Sequence, residues 1–186
     1  MVKLLYWNNQ IQLFVTFYRV MRYRNNVGKF SAFYQAHREK LFYYLMRLTG
    51  DYYLSGDIMQ ESFARLLKHY GPEAQNVSLM YTIARNAVLD HVRKNGRNTK
   101  LEGDGWRDHS VDSEQLLMIR QEYRKVLAAM QQLETNEREI MALVADGDFS
   151  YHEIAQITGV SEGNVRVKVH RARLKLKNFL KQEDDI

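Results

Sequence analysis

The chain has no cysteine and one proline in 186 residues, and each scarcity removes a class of protein. Without cysteine there are no disulfides, thiolate nucleophiles or cysteine-based zinc sites. The same lack suits a reducing, cytoplasmic setting. With a single proline, helix-breaking positions are few, and Leu, Ala, Arg, Lys, Glu and Gln abound, so an all-α fold is expected. Apolar runs are short. The best candidate, Ile11 to Met21, is broken by Gln12, Thr16 and Arg19 and falls below the ~18 residues a spanning helix needs. No small-residue cleavage site follows it, so a signal peptide fits poorly. Chemistry-bearing groups are also sparse. There is no glycine-rich phosphate loop, no paired metal ligands and no nucleophile with a neighbouring base. His37, His69, His91, His109, His152 and His170 are scattered without ligand spacing. The sequence therefore reads as a non-enzyme with no catalytic residue, no metal, no cofactor and no small-molecule substrate.

What is present is amphipathic helix, in two groups. Residues 1–28 stand apart as an N-terminal extension of unknown role. They are rich in aromatics and acid-free, the first carboxylate being Glu39. Leu4, Trp7, Ile11, Phe14, Val15 and Tyr18 recur at helical spacing. An accessory helix, a coding start placed upstream of Met21, and a membrane-surface or partner-binding helix all remain open. Residues 29–95 read as a first helical domain. Leu41, Tyr44, Leu45 and Leu48 form a stripe closed by Gly50-Asp51. Met59, Phe63, Leu66, Leu67 and Tyr70 form a second, with Asp57 expected as its N-cap and Gly71-Pro72 as its end. Met80, Ile83, Ala84, Ala87, Val88 and His91 form a third, with Ser78 expected as cap. Residues 96–112 carry three of the ten glycines and read as a flexible linker, with Trp106 the odd residue in it.

A second domain is expected over 113–182. Ile119, Tyr123, Val126, Leu127, Met130 and Leu133 give a long stripe, and Ile140, Leu143 and Val144 a shorter one ending near Gly147. Ser150-Tyr151-His152-Glu153 has the form of a capping box. Ala155, Gly159 and Val165 then space out as a helix-turn-helix: a small residue for close approach, a glycine for the turn, and an apolar residue aimed at the core. The last helix, capped by Ser161, carries Arg166, Lys168, Arg171, Arg173, Lys175, Lys177 and Lys181. No acid lies between Glu162 and Glu183. Such a helix repels itself unless something anionic lies beside it, and a helix-turn-helix places this face in a DNA major groove. The amides of Gly163 and Asn164 suit a phosphate. Arg166, His170 and Arg171 stand where base edges are read, and Arg173 and the later lysines where backbone is held. The net charge of +5 agrees with an anionic partner.

The run from Glu137-Arg138-Glu139-Ile140 through Ser150-Tyr151-His152-Glu153-Ile154-Ala155 to Gly163-Asn164-Val165-Arg166-Val167-Lys168-Val169-His170-Arg171-Ala172-Arg173 resembles the C-terminal domain of extracytoplasmic-function sigma factors. Asp57-Ile58-Met59-Gln60-Glu61-Ser62-Phe63 resembles that family's polymerase-binding helix. Tyr81-Thr82-Ile83-Ala84-Arg85-Asn86 with Asp90-His91-Val92-Arg93 resembles its −10-reading helix. The resemblance spans roughly residues 30–182. It implies a subunit that brings RNA polymerase core to promoter DNA. Asp57, Gln60, Glu61 and Ala64 would dock on a coiled coil of the largest polymerase subunit. Tyr70, Asn76, Tyr81, Arg85, Asn86, Arg93 and Lys94 would hold the −10 strand. Either tyrosine can equally be core. Ser161, Gly163, Asn164, Arg166, Val167, Lys168, His170, Arg171 and Arg173 would hold the −35 duplex. An anti-sigma factor is an expected further partner.

Four departures from the family pattern are visible. Leu79 stands where tryptophan is common and Thr82 where arginine is common. Val167 replaces a small polar residue, and no proline lies near Glu134-Thr135. These bear on promoter sequence and melting strength more than on fold. A polymerase-independent helix-turn-helix regulator is the alternative; it explains 113–182 and leaves Asp57 to Phe63 without a purpose.

Overall fold

A computed structural model describes residues 27–95 and 114–184, which form seven helices and no strand. In chain order they are α1 (Val27–Thr49), α2 (Tyr52–Tyr70), α3 (Val77–Asn95), α4 (Glu114–Gln131), α5 (Thr135–Val144), α6 (Tyr151–Thr158) and α7 (Glu162–Asp184). The N-terminal extension and the linker with Trp106 lie outside the described residues. Among the described residues no helix is long and apolar enough to cross a membrane.

The first group is α1 to α3. The predicted stripe on α1 is buried throughout: Leu41, Tyr44, Leu45 and Leu48. Gly50 adopts φ 72° and its N–H donates to the Met46 carbonyl at 2.9 Å, the left-handed stop a helix end favours. The next helix opens earlier than expected. Asp51, not Asp57, is the N-cap of α2, accepting from the Leu54 N–H at 2.9 Å. Gly56 sits inside the helix. Asn76, not Ser78, caps α3, accepting from the Leu79 N–H at 2.9 Å. Phe63 is the aromatic centre of this group. Its ring meets Phe30, Phe33 and Tyr34 edge-on at 6.4, 6.2 and 4.8 Å.

The second group is α4 to α7. On α4, Leu127 and Met130 are buried, but Val126 is 39% exposed, which corrects its place in the predicted stripe. Ile140 and Leu143 of α5, Ile154 and Ile157 of α6, and Val165, Val169 and Ala172 of α7 close the core. The two groups touch. Helix α1 packs on α4 and α5, α3 packs on α6, and one continuous apolar cluster runs through both.

Candidate nucleic-acid interface

The helix-turn-helix is built as its local chemistry dictates. Ser150 and Glu153 form both bonds of the capping box: the Glu153 N–H donates to the Ser150 hydroxyl at 3.3 Å, and the Ser150 N–H to the Glu153 carboxylate at 2.8 Å. Those bonds hold the Glu153 carboxyl below its ordinary range. Gly159 closes α6 at φ 74°, with its N–H on the Ala155 carbonyl at 2.9 Å. The Asn164 N–H donates to the Ser161 hydroxyl at 3.4 Å, so the Ser161 oxygen serves the cap and its O–H stays able to donate. With Val165, Val169 and Ala172 buried, the remaining faces of α7 are forced outward.

Ser161, Gly163, Asn164, Arg166, Val167, His170, Arg171 and Arg173 are all exposed, and Lys168 is half-buried. The helix is less starved of acid than its sequence suggests. Arg166 pairs with Glu162 at 2.5 Å, and its guanidinium lies 5.5 Å from the centre of the Tyr151 ring. Lys175 reaches the buried Glu137 at 2.7 Å and Glu134 at 3.5 Å. The Glu137 bond lifts the Lys175 amine above its usual range. Lys175 is therefore a strut between α7 and α5.

On α2, Asp57, Gln60, Glu61 and Ala64 are all exposed along one face, opposite buried Ile58, Ser62, Phe63 and Leu66. Glu61 pairs with Arg65 at 2.6 Å. This face is polar with a small residue at its centre, the shape that lets another helix approach.

The third set divides. Tyr70, Asn76, Asn86, Arg93 and Lys94 are exposed. Arg93 pairs with Asp90 at 3.5 Å. Tyr81 is 1% exposed and belongs to the core in this arrangement. Its ring lies tilted against Tyr44 at 4.9 Å and meets Phe149 edge-on at 4.8 Å, and its hydroxyl donates to Asp146 at 2.8 Å. Arg85 forms an ion pair with the buried Glu139. Sequence reasoning missed Glu139 and Asp146 as partners of this set. Asp146 also takes an ion pair from Arg47 of α1. Burial pushes the carboxyls of both Glu139 and Asp146 above their ordinary range, against the pull of the arginines.

Two family models match the chain: Sigma-70 region 2 over residues 33–98, and Sigma-70, region 4 over residues 123–176. The chain belongs to the sigma-70 family. It falls in the extracytoplasmic-function group, as do relatives to which it is similar over most of its length. The sigma factor SigM of Bacillus subtilis (strain 168) is 29% identical over 147 residues, covering 77% of this chain and 90% of that protein. The sigma factor EcfG of Rhodopseudomonas palustris (strain TIE-1) is 29% identical over 140 residues, 74% of this chain and 77% of that one. In fold, the chain is similar to the sigma factor RpoE of Bartonella quintana in its complex with the anti-sigma factor NepR. The TM-score is 0.64 at 22% identity, covering 82% of this chain and 96% of that one. It is also similar to CnrH in complex with the cytosolic domain of CnrY, with TM-score 0.62, 20% identity and coverage of 88% and 94%.

As a sigma factor the chain directs RNA polymerase to promoters; proteins of this kind are DNA-binding initiation factors and not catalysts. The sigma-factor surfaces expected on α2 and α7 stand open to a partner. The surface expected on α3 is open at Asn86, Arg93 and Lys94 and covered at Tyr81 and Arg85.

Proposed function

We propose that this sigma factor works as two grips on one chain. Residues 29–95 dock on core polymerase through Asp57, Gln60, Glu61 and Ala64 and hold the displaced −10 strand. Residues 113–182 hold the −35 duplex, with 96–112 as the linker between them. What supports this reading is the outward face of α7: side chains able to reach bases or phosphates stand exposed while Val165, Val169 and Ala172 lock the helix to its own domain.

Roles follow from chemistry. The Gly163 amide sits at the start of α7, where the helix dipole favours a phosphate, and the Asn164 amide beside it is engaged by the Ser161 cap. Arg166, His170 and Arg171 read base edges; arginine donates a fork that matches guanine. Lys168 and Arg173 hold backbone, and Val167 offers an apolar contact to a thymine methyl. In the first group, Tyr70 is 55% exposed beside the 71–76 turn and supplies the wall on which a flipped base stacks. Asn86, Arg93 and Lys94, with Tyr81 and Arg85 once uncovered, follow the adjacent strand. Asn76 spends its side-chain oxygen on the α3 cap and keeps its amide hydrogens for a base. Opening costs about 1.4 kcal/mol of stacking per base-pair step, offset by trapped bases, phosphate contacts and polymerase. No nucleotide is hydrolysed by this subunit.

The chain works in the cytoplasm, where polymerase and promoters are. An anti-sigma factor is a proposed partner, since both solved relatives are held by another polypeptide. Transcription of genomic fragments by core polymerase, with and without the chain, tests the reading: new start sites are expected with it, and an unchanged transcript set would refute it.

A further inference from the structure

The exposed face of α2 does not begin at Asp57. Tyr53 lies one turn before it, and at about 100° of rotation per residue it falls within about 40° of Asp57, Gln60 and Ala64. Tyr53 is 69% exposed, the highest value among the exposed large apolar side chains of the described residues. Its ring is propped from behind. It meets Tyr52 edge-on at 5.7 Å, Tyr52 meets Phe42 edge-on at 5.2 Å, and Phe42 meets Tyr43 at 5.9 Å. A ring held in this way loses little freedom when a partner covers it. Gly56 lies beside it, one turn before Gln60 and two before Ala64. The fold does not need this glycine. Its φ is not positive, and a Cβ there would meet nothing within 4 Å. Alanine would fit, and alanine is the better helix former.

We propose that Tyr53 and Gly56 carry the polymerase-docking face one turn further toward the start of α2, with Tyr53 as its aromatic anchor and Gly56 as its point of closest approach. The occupant is a helix of core polymerase. Two neighbouring rows run along this face at four-residue spacing. Tyr53, Asp57 and Glu61 form a raised row, and Gly56, Gln60 and Ala64 form a lower one with a small residue at each end. A ridge of a partner helix seats in such a low row. Gly56 lets the partner's backbone come near, and Tyr53 packs on its flank. Rigid aromatic rings serve as anchors in interfaces because they cover a large area at small entropic cost. Asp57 and Glu61 put acid on the same face, so the partner helix carries basic residues where it passes them. The added turn is continuous with the surface already assigned to polymerase and calls for no second partner. In the free chain the glycine weakens α2 and most of the Tyr53 ring meets water; a docked helix gives both residues a use.

The inference rests on the assignment of Asp57, Gln60, Glu61 and Ala64 to polymerase. Variants of the full chain compete with the labelled unsubstituted chain for purified core polymerase, and urea denaturation reads the stability of each. Tyr53→Ala is expected to weaken binding roughly tenfold, and Tyr53→Phe to keep most of it, because the ring and not the hydroxyl is the anchor. Gly56→Ala is expected to move two readings in opposite senses. The urea midpoint rises, since alanine favours the helix. Polymerase affinity falls roughly fivefold or more, since the added methyl stands where the partner comes closest. A glycine with a merely structural role would not separate the two readings. Native affinity in Tyr53→Ala, or a Gly56→Ala chain that is more stable and binds as well as the unsubstituted one, would overturn the inference. Gln60→Ala with Glu61→Ala distinguishes this from failure of the functional reading. If that pair weakens binding while Tyr53→Ala and Gly56→Ala do not, the docking face ends at Asp57. If none of the three weakens it, α2 is not the docking face, and the assignment falls together with the inference.

Discussion

Removing the Glu139 carboxylate should destabilise the chain by more than the packing it takes away. Glu139 is buried, and Arg85 keeps a fifth of its side chain exposed. Breaking a fully buried pair costs about 3–5 kcal/mol, because one charge is left without a partner. Partial exposure lets Arg85 turn toward water, so Glu139→Ala is expected at about 2–3 kcal/mol. Arg85→Ala leaves a carboxylate in a dry site instead. Burial already raises the Glu139 carboxyl, and without Arg85 it rises further. A carboxyl raised above its unfolded value contributes stability below the unfolded value and loses it as pH climbs through the folded one. The Arg85→Ala deficit should therefore be largest at neutral pH and shrink toward pH ~4. The double variant removes both charges and should cost only about 1–2 kcal/mol, well below the sum of the two single costs. Urea denaturation followed by helical circular dichroism reads all three. Costs that add within about 0.5 kcal/mol would refute the claim that these two side chains depend on one another.

Gln60→Ala with Glu61→Ala should weaken association with core polymerase, measured by co-purification, while duplex binding stays unchanged. Arg171→Ala should cost roughly 1–3 kcal/mol at one or two −35 positions in a binding-site selection; an even loss at every position would reassign Arg171 to phosphate. Ser150→Ala should cost about 1 kcal/mol by removing the α6 cap, visible as faster amide exchange in Glu153 and its neighbours. Because the Glu153 carboxyl is held below its unfolded value of about 4.3, its share of that cap is present above that pH and fades as pH falls through the lower folded value.

The helix-turn-helix was legible because its signals are local. Ser150 and Glu153 lie three residues apart, Gly159 takes the left-handed turn, and Ser161 caps α7. Each can be judged within one turn of helix. The α2 and α3 caps were misplaced by the same local logic. Asp51 and Asp57, and Asn76 and Ser78, are rival caps before one stripe, and only packing chooses between them. The contact between the two groups was not legible at all. Arg85 and Glu139 are 54 residues apart, and Tyr81 and Asp146 are 65 apart. Nothing in either local segment announces the other. Tyr81 illustrates the ambiguity: an aromatic on an apolar stripe suits a base and a core equally, and the second group of helices decides.

Core polymerase incubated with genomic fragments gives the most direct test of the central claim. With the purified chain added, the account predicts that the polymerase retains it and begins transcripts at new sites sharing an upstream duplex element, and that Gln60→Ala with Glu61→Ala reduces both effects together. A polymerase that neither retains the chain nor changes its start sites would contradict the account.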